Sequence, residues 1–223
     1  YKPYSTSELI NLIADFMEMT PEYCRLTRII RDIPSQEIEV GNKTTNLREL
    51  VEKKLKADNR ENPNIRAREI KSKNIRFKDL KLDTIKYKTS VSTEYFLQYI
   101  TRKREIAGFL RLSIPDVNLT PTLSPPKNGA SIHGEGANPI TPELSNCAMV
   151  REVHVYGPSL ELSKDSKGEA QHLGLGTKLI EIAKEISREK GFKKLAVISS
   201  IGTREYYKKR GFKLKELYQI ADI

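Results

Sequence analysis

The sequence has no tryptophan, two cysteines and three histidines in 223 residues. Cys24 and Cys147 lie far apart and neither has a second thiol nearby, which excludes a disulfide framework and a cysteine-ligated cluster held by this chain alone. No metal site is expected from these residues. No apolar run is long enough to cross a bilayer and no secretory leader opens the chain, so no membrane partner is expected. An intracellular, by default cytoplasmic, location follows. The first residue is Tyr1, which suggests a piece cut from something longer.

Positive charge is what the chain has in excess. Lys and Arg number 39 against 29 Asp and Glu, a net of +10 that attracts polyanions, either nucleic acid or the phosphates of a nucleotide cofactor. Composition does not choose between them, and a merely basic soluble protein also stays open. At 38% apolar residues the chain can build one large domain, or one medium domain plus a piece of another.

The stretch from Val150 to Gly176 organises the rest. VREVHVYG reads as a strand, and after a polar connection QHLGLG opens a helix whose Leu179, Ile182, Ala183 and Ile186 recur at helical spacing. Gln171, Gly174 and Gly176 spell Q-x-x-G-x-G. A glycine turn feeding a helix leaves amides without intrahelical partners at the positive end of the dipole, which suits a phosphate or pyrophosphate. A side chain at the glycines would hold the backbone away from the phosphate oxygens. A flexible loop before an amphipathic helix would look the same in isolation. Downstream, KKLAVISS reads as a buried strand and GTREYYKKRGF as a short helix ending at Gly211 and Phe212.

Upstream, Ser5 and Glu8 have capping-box spacing ahead of an apolar face of Leu9, Ile10, Ile13, Phe16 and Met17. TRIIRDIP is expected to form a strand stopped by Pro34. Asn46 to Asn59 reads as a helix with Leu47, Leu50, Val51 and Leu55 inward, followed by a basic linker, ENPNIRAREIKSKN. LDTIKYKTSV, TEYFLQYIT and EIAGFLRLSI read as strands, the last two joined by the charged turn RKRE. Asp116 to Asn146 is rich in Pro, Gly, Ser and Asn and reads as a long loop, in which His133 is a loop residue rather than a catalyst. Pro158 to Ala170 is a second polar stretch.

The order strand, Q-x-x-G-x-G, helix, strand, helix with Tyr-x-x-x-Gly-Phe resembles the acyl-CoA-binding half of the GNAT acetyltransferases. REVHVYG, QHLGLG, AVISSIGTREYYKKRGF and, far upstream, YCRLTRIIRDIPSQEI resemble the catalytic subunit of Elongator, which modifies the wobble uridine of tRNA. The resemblance covers nearly the whole chain. It implies an α/β fold with a mixed central sheet, a GNAT domain over 73–223 with a loop insertion at 116–147. Ahead of it, over 1–72, it implies the C-terminal remnant of a radical SAM barrel plus a basic linker. The three closely spaced cysteines of that family's iron–sulfur cluster are absent here. The cluster and S-adenosylmethionine are therefore expected only in a full-length protein. Where some members carry metal-binding cysteines in the linker, this chain has Asn62, Asn64 and Ala67.

The resemblance further implies acetyl-CoA as cofactor and tRNA as partner, while a homo-oligomer stays open. The turn would hold the phosphates through Gln171, Gly174, Leu175, Gly176, Thr177 and Lys178, and the backbone of Glu152, Val153, His154 and Val155 would pair with the pantetheine arm. Tyr207, with Tyr206 beside it, stands where the family's acid sits; a phenol stays protonated at neutral pH and can donate to the departing sulfur. Either tyrosine could instead be a packed core residue. Glu152 and His154 alternate onto one face of the strand and are candidates for activating water or an amine, or are structural polar residues. Arg25, Arg28 and Arg31, with Arg66 and Arg68, are candidate tRNA contacts, or surface arginines held in salt bridges. An ordinary lysine or amine acetyltransferase, and a non-catalytic RNA-binding module, remain as alternative functions.

Overall fold

The computed structural model describes residues 2–29, 33–71, 75–116, 142–156 and 174–223. The chain forms two compact units, Tyr1–Ile70 with Arg104–Ile106, and Lys71–Lys103 with Ala107–Ile223. Arg31, His133, Gln171, the polar stretch 158–170 and most of the loop expected over 116–147 lie outside the described residues.

In the first unit, α1 (Thr6–Met19) starts at the capping box that the sequence shows. The Glu8 amide donates to Ser5 Oγ at 3.2 Å and the Ser5 amide donates to Glu8 Oε2 at 2.7 Å. α2 (Leu47–Ala57) turns Leu47, Val51 and Leu55 inward, and Val51 and Leu55 join Ala14 and Met17 in a small apolar core. So small a core is completed by ion pairs. Arg60, just past α2, bonds Asp15 at 2.8 Å and Glu18 at 2.7 Å on α1.

Two expectations for this unit are corrected. The described residues of TRIIRDIP, 27–29 and 33–34, form no strand. The carbonyl acceptors a sheet ladder would use there are taken by side chains: Arg48 donates to the Leu26 carbonyl at 2.7 Å and Arg66 to the Thr27 carbonyl at 3.2 Å. The stretch read as a linker is packed as far as Ile70. It contains α3 (Ile65–Arg68), buries Asn64, Ile65 and Ile70, and donates the Ile70 amide to the Ile106 carbonyl at 3.1 Å.

The second unit holds β1 (Lys81–Lys88), β2 (Ser92–Ile100), β3 (Ile106–Pro115, entered from the first unit), β4 (Cys147–Val155), β5 (Lys194–Val197), β6 (Lys213–Leu214) and β7 (Gln219–Asp222). They make one sheet in the order β1-β2-β3-β4-β5-β7-β6, antiparallel except where β4 meets β5 in parallel for the pairs described. This is the mixed sheet expected, although β4 already begins at Cys147, inside the range assigned to the loop. Apolar runs in β2 and β3 bury Phe96, Leu97, Phe109 and Leu110 completely, whereas the edge strand β1 buries no residue fully and carries Lys81, Lys86 and Lys88.

A parallel pair needs a crossover, and α4 (Leu175–Glu189) supplies it, burying Leu175, Leu179, Ile180 and Ala183. Pairing of β4 with β5 covers only Cys147–Val150 against Lys194–Val197. At that point β4 bulges. Arg111 faces Glu152 while Leu112 faces Val150, leaving Arg151 as the extra residue. From there, among the described strands, β4 follows β3 alone, and the sheet forks. α5 (Arg204–Lys208) follows β5.

Candidate functional site

The register around the fork decides which main-chain groups are available. The Tyr156 amide donates to the Ala107 carbonyl at 2.8 Å, and alternation along the strand then directs the amides of His154 and Glu152 to β3. The amides of Val153 and Val155 consequently face the open side. Across from them stands the first turn of α4. Its N-cap, Gly174, has φ +66°, a conformation that favours glycine, and among the described residues no side chain caps the helix. The first bond of the helix is from the Lys178 amide to the Gly174 carbonyl at 3.0 Å. The amides of Leu175, Gly176 and Thr177 precede it without intrahelical partners, and no acidic residue sits in the first turn.

A cavity of about 490 Å³ lies between these elements. β4 lines it with Val153 and Val155, α4 with Gly174, Gly176 and Thr177, and the α5 segment with Thr203, Tyr206, Tyr207 and Arg210. Gly176 leaves room for a neighbour as well as for a ligand: a Cβ there would meet the Tyr206 hydroxyl and oblige that ring to shift. Arg210 lies over the Tyr206 ring, 3.4 Å from its centroid, and donates to Thr177 Oγ1 at 3.0 Å and to the Tyr206 carbonyl at 2.5 Å.

Tyr207 is 8% exposed and packs edge-on against Tyr206 and Phe212, with centroids 5.3 and 5.5 Å away. Burial, reinforced by Tyr206 and opposed by Arg210, pushes its phenol up to about 12. The Tyr206 phenol is also raised by burial, against the pull of Arg210 and a hydrogen bond with Thr177. Both are therefore neutral donors at physiological pH.

Of the residues singled out in the sequence, the structure gathers Val153, Val155, Gly174, Gly176, Thr177, Tyr206 and Tyr207 around this cavity. Leu175 contributes its amide and buries its side chain. Lys178 points elsewhere, its ammonium 4.5 Å from the centre of the Phe77 ring. Glu152 and His154 share a face of β4, but neither lines the cavity. Glu152 is paired with Arg111 at 2.9 Å, and the His154 ring stacks on Phe109 with centroids 5.9 Å apart. Arg210 and Thr203 were not foreseen. The available signal was the four-residue spacing from Tyr206 to Arg210, which returns a side chain to the same face of a helical turn.

Within the helical unit, Arg25 pairs with Glu69 at 2.8 Å, Arg28 is exposed and Arg66 is exposed with its bond to Thr27. Arg68 is committed to the carbonyls of Pro63 and Glu22, both at 2.8 Å, and of Arg104 at 3.2 Å. Arg48, also missed in the sequence, joins this group. Its guanidinium is held below the usual arginine range by burial first and then by the like charges of Arg66 and Arg25.

A sheet antiparallel up to β4, parallel at β5 and forked between them, with a glycine-opened helix beside the fork, defines the GNAT acyltransferase fold. The chain is 34% identical, over its whole length, to the tRNA uridine(34) acetyltransferase of Dehalococcoides mccartyi and to Elongator complex protein 3 of Danio rerio. The likeness to Elongator complex protein 3 thus extends over the whole of this chain. The chain spans 46% and 38% of those two relatives, less than half of either. The model of the Radical_SAM C-terminal domain matches residues 1–57. The solved structure of Elp3 from the archaeon Methanocaldococcus infernus, with an N-terminal deletion, superimposes with a TM-score of 0.77 at 32% identity, covering all of this chain and 50% of that one.

Proposed function

We propose that this chain binds acetyl-CoA in the fork between β4 and β5. In this reading it is the acetyl-transfer portion of an enzyme that modifies the wobble uridine of tRNA, in the direction of carboxymethyluridine. The observation that carries the proposal is the meeting, at one cavity, of a buried phenol and two sets of amides that neither the α4 helix nor the β3 strand uses. The amides of Leu175, Gly176 and Thr177 suit the diphosphate. Those of Val153 and Val155 suit the pantetheine arm, which pairs with a strand edge as another strand would.

Tyr207 is assigned the departing sulfur. A thiol titrates near ~8.5, well below the Tyr207 phenol, so the tyrosine gives the thiolate a hydrogen bond and keeps its proton. Stabilising the leaving group in this way hastens cleavage of the thioester, whether the acyl group passes towards the uridine or to water. The names of the relatives support tRNA as the partner, and the exposed Arg66 of the helical unit, bonded to the Thr27 carbonyl, suits its phosphates.

An iron–sulfur cluster does not fit these residues. The two cysteines belong to different units, and no cluster of metal-ligating side chains occurs among the described residues. Radical chemistry is thus assigned to no residue of this chain.

Thiol release from acetyl-CoA tests the proposal. Turnover is expected to rise with a tRNA carrying uridine at the wobble position and to stay at background with histone-like peptides. Stimulation by peptide alone would replace the tRNA enzyme with an amine acetyltransferase, and failure to bind a non-hydrolysable acetyl-CoA analogue would remove catalysis altogether.

A further inference from the structure

Arg210 is the only formally charged residue lining the cavity among the described residues. Its hydrogen-bond partners among the described residues are the Thr177 hydroxyl and the Tyr206 carbonyl, and no carboxylate is among them. The arrangement is electrostatically incomplete. Thr177 is the third residue of α4, so the guanidinium rests against the positive end of a helix that has no acidic residue in its first turn. Two like partial charges are left facing one neutral cavity, a geometry that an anion would relieve from both sides.

The guanidinium is also held still. Its plane is fixed by the Tyr206 ring beneath it and by its bonds to Thr177, and its own carbonyl accepts from the buried Lys184 ammonium at 2.8 Å, which ties Arg210 to α4 from the main chain as well. An arginine immobilised before its ligand arrives loses little freedom on binding.

We propose that Arg210 is the specificity-determining residue of this site, contacting the diphosphate and so distinguishing the nucleotide-bearing coenzyme from shorter pantetheine thioesters. This rests on the acetyl-CoA reading above. Val153 and Val155 accept any thioester arm through main-chain groups, whereas Arg210, beside the amides of the glycine turn, responds to a ligand that brings negative charge to the first turn of α4.

Calorimetric titration of the full chain and of R210Q and R210K with three ligands tests it: acetyl-CoA, 3′-dephospho-acetyl-CoA, which keeps the diphosphate, and acetyl-pantetheine, which has no phosphate. The unaltered chain is expected to bind the first two far more tightly than the third. R210Q should weaken those two by about 10- to 100-fold and acetyl-pantetheine by less than about threefold. R210K, which keeps the charge but offers no planar fork, should show the same selectivity with a smaller loss. Should R210Q unfold, R210K decides by that pattern alone. Equal loss on all three ligands, loss on acetyl-CoA but not its dephospho form, or no loss would each overturn the role of Arg210. If the unaltered chain bound all three alike, the acetyl-CoA reading would fall first, and Arg210 with it.

Discussion

In the helical unit Arg25, Arg60 and Arg104 each hold a carboxylate, those of Glu69, of Asp15 and Glu18, and of Glu22, while Arg68 fills main-chain carbonyls on three segments. In the sheet unit Arg111 is likewise paired with Glu152, yet Arg210 faces a cavity beside a hydroxyl and a carbonyl. The first unit has a small apolar core and uses its cations as ties. The second has a broad core of strands and helix, and can leave one cation facing its cavity. Net charge alone therefore says little about binding. What separates glue from recognition is whether a guanidinium already has an anionic or multiple main-chain partner.

The largest expected effect falls on the cavity. Gly176→Glu places both a carboxylate and a Cβ against the Tyr206 hydroxyl, and should weaken acetyl-CoA by about 100-fold or more in calorimetric titration. Normal affinity would show that the first turn of α4 is not the anion site. Next comes Arg68→Ala, which strips a charged donor from three carbonyls. It should cost about 2–3 kcal/mol in denaturant unfolding followed through α1.

Tyr207→Phe should show at high pH. With its phenol at about 12 in the fold against ~10 in the unfolded chain, the native state keeps this proton longer. The stability linked to Tyr207 is complete below pH ~10 and is lost as pH climbs towards 12. Phenylalanine should abolish that alkaline loss, on the order of 2 kcal/mol between denaturant curves recorded at the two ends of the window. The smallest change is Arg66→Gln. An exposed arginine with one carbonyl bond should alter stability by no more than about 0.5 kcal/mol, while lowering the salt slope of tRNA binding by about one. If Arg66 and Arg68 cost the same stability, the distinction between the two kinds of arginine dissolves.

Where the sequence carried a local signal, the fold followed it. The Ser5–Glu8 pair marked the start of α1, the 3.6-residue periodicity marked α2 and α4, and dense β-branched and aromatic runs marked β2 and β3. Failures occurred where a distant side chain overrode a local pattern. Thr27 to Pro34 has the composition of a strand, but Arg48 and Arg66, about 20 and 40 residues away, take its neighbouring carbonyls. The polar residues after Arg60 looked like a linker because nothing in them shows that Asn64 and two isoleucines would be buried. At the site, the glycines and tyrosines were legible because backbone conformation and close approach restrict residue type. Arg210 was legible only through its four-residue spacing from Tyr206, a faint mark for one more arginine in a basic chain.

The fork has one more consequence. Strand edges are normally confined to a sheet's margins, but here residues 151–155 form a rim in its middle, between β4 and β5, that no described strand covers. Any extended peptide can dock on such a rim, including the same segment of another molecule. A ligand lying along β4 would act as a splint as well as a reagent, and protein stored without it should be the first to clump on warming.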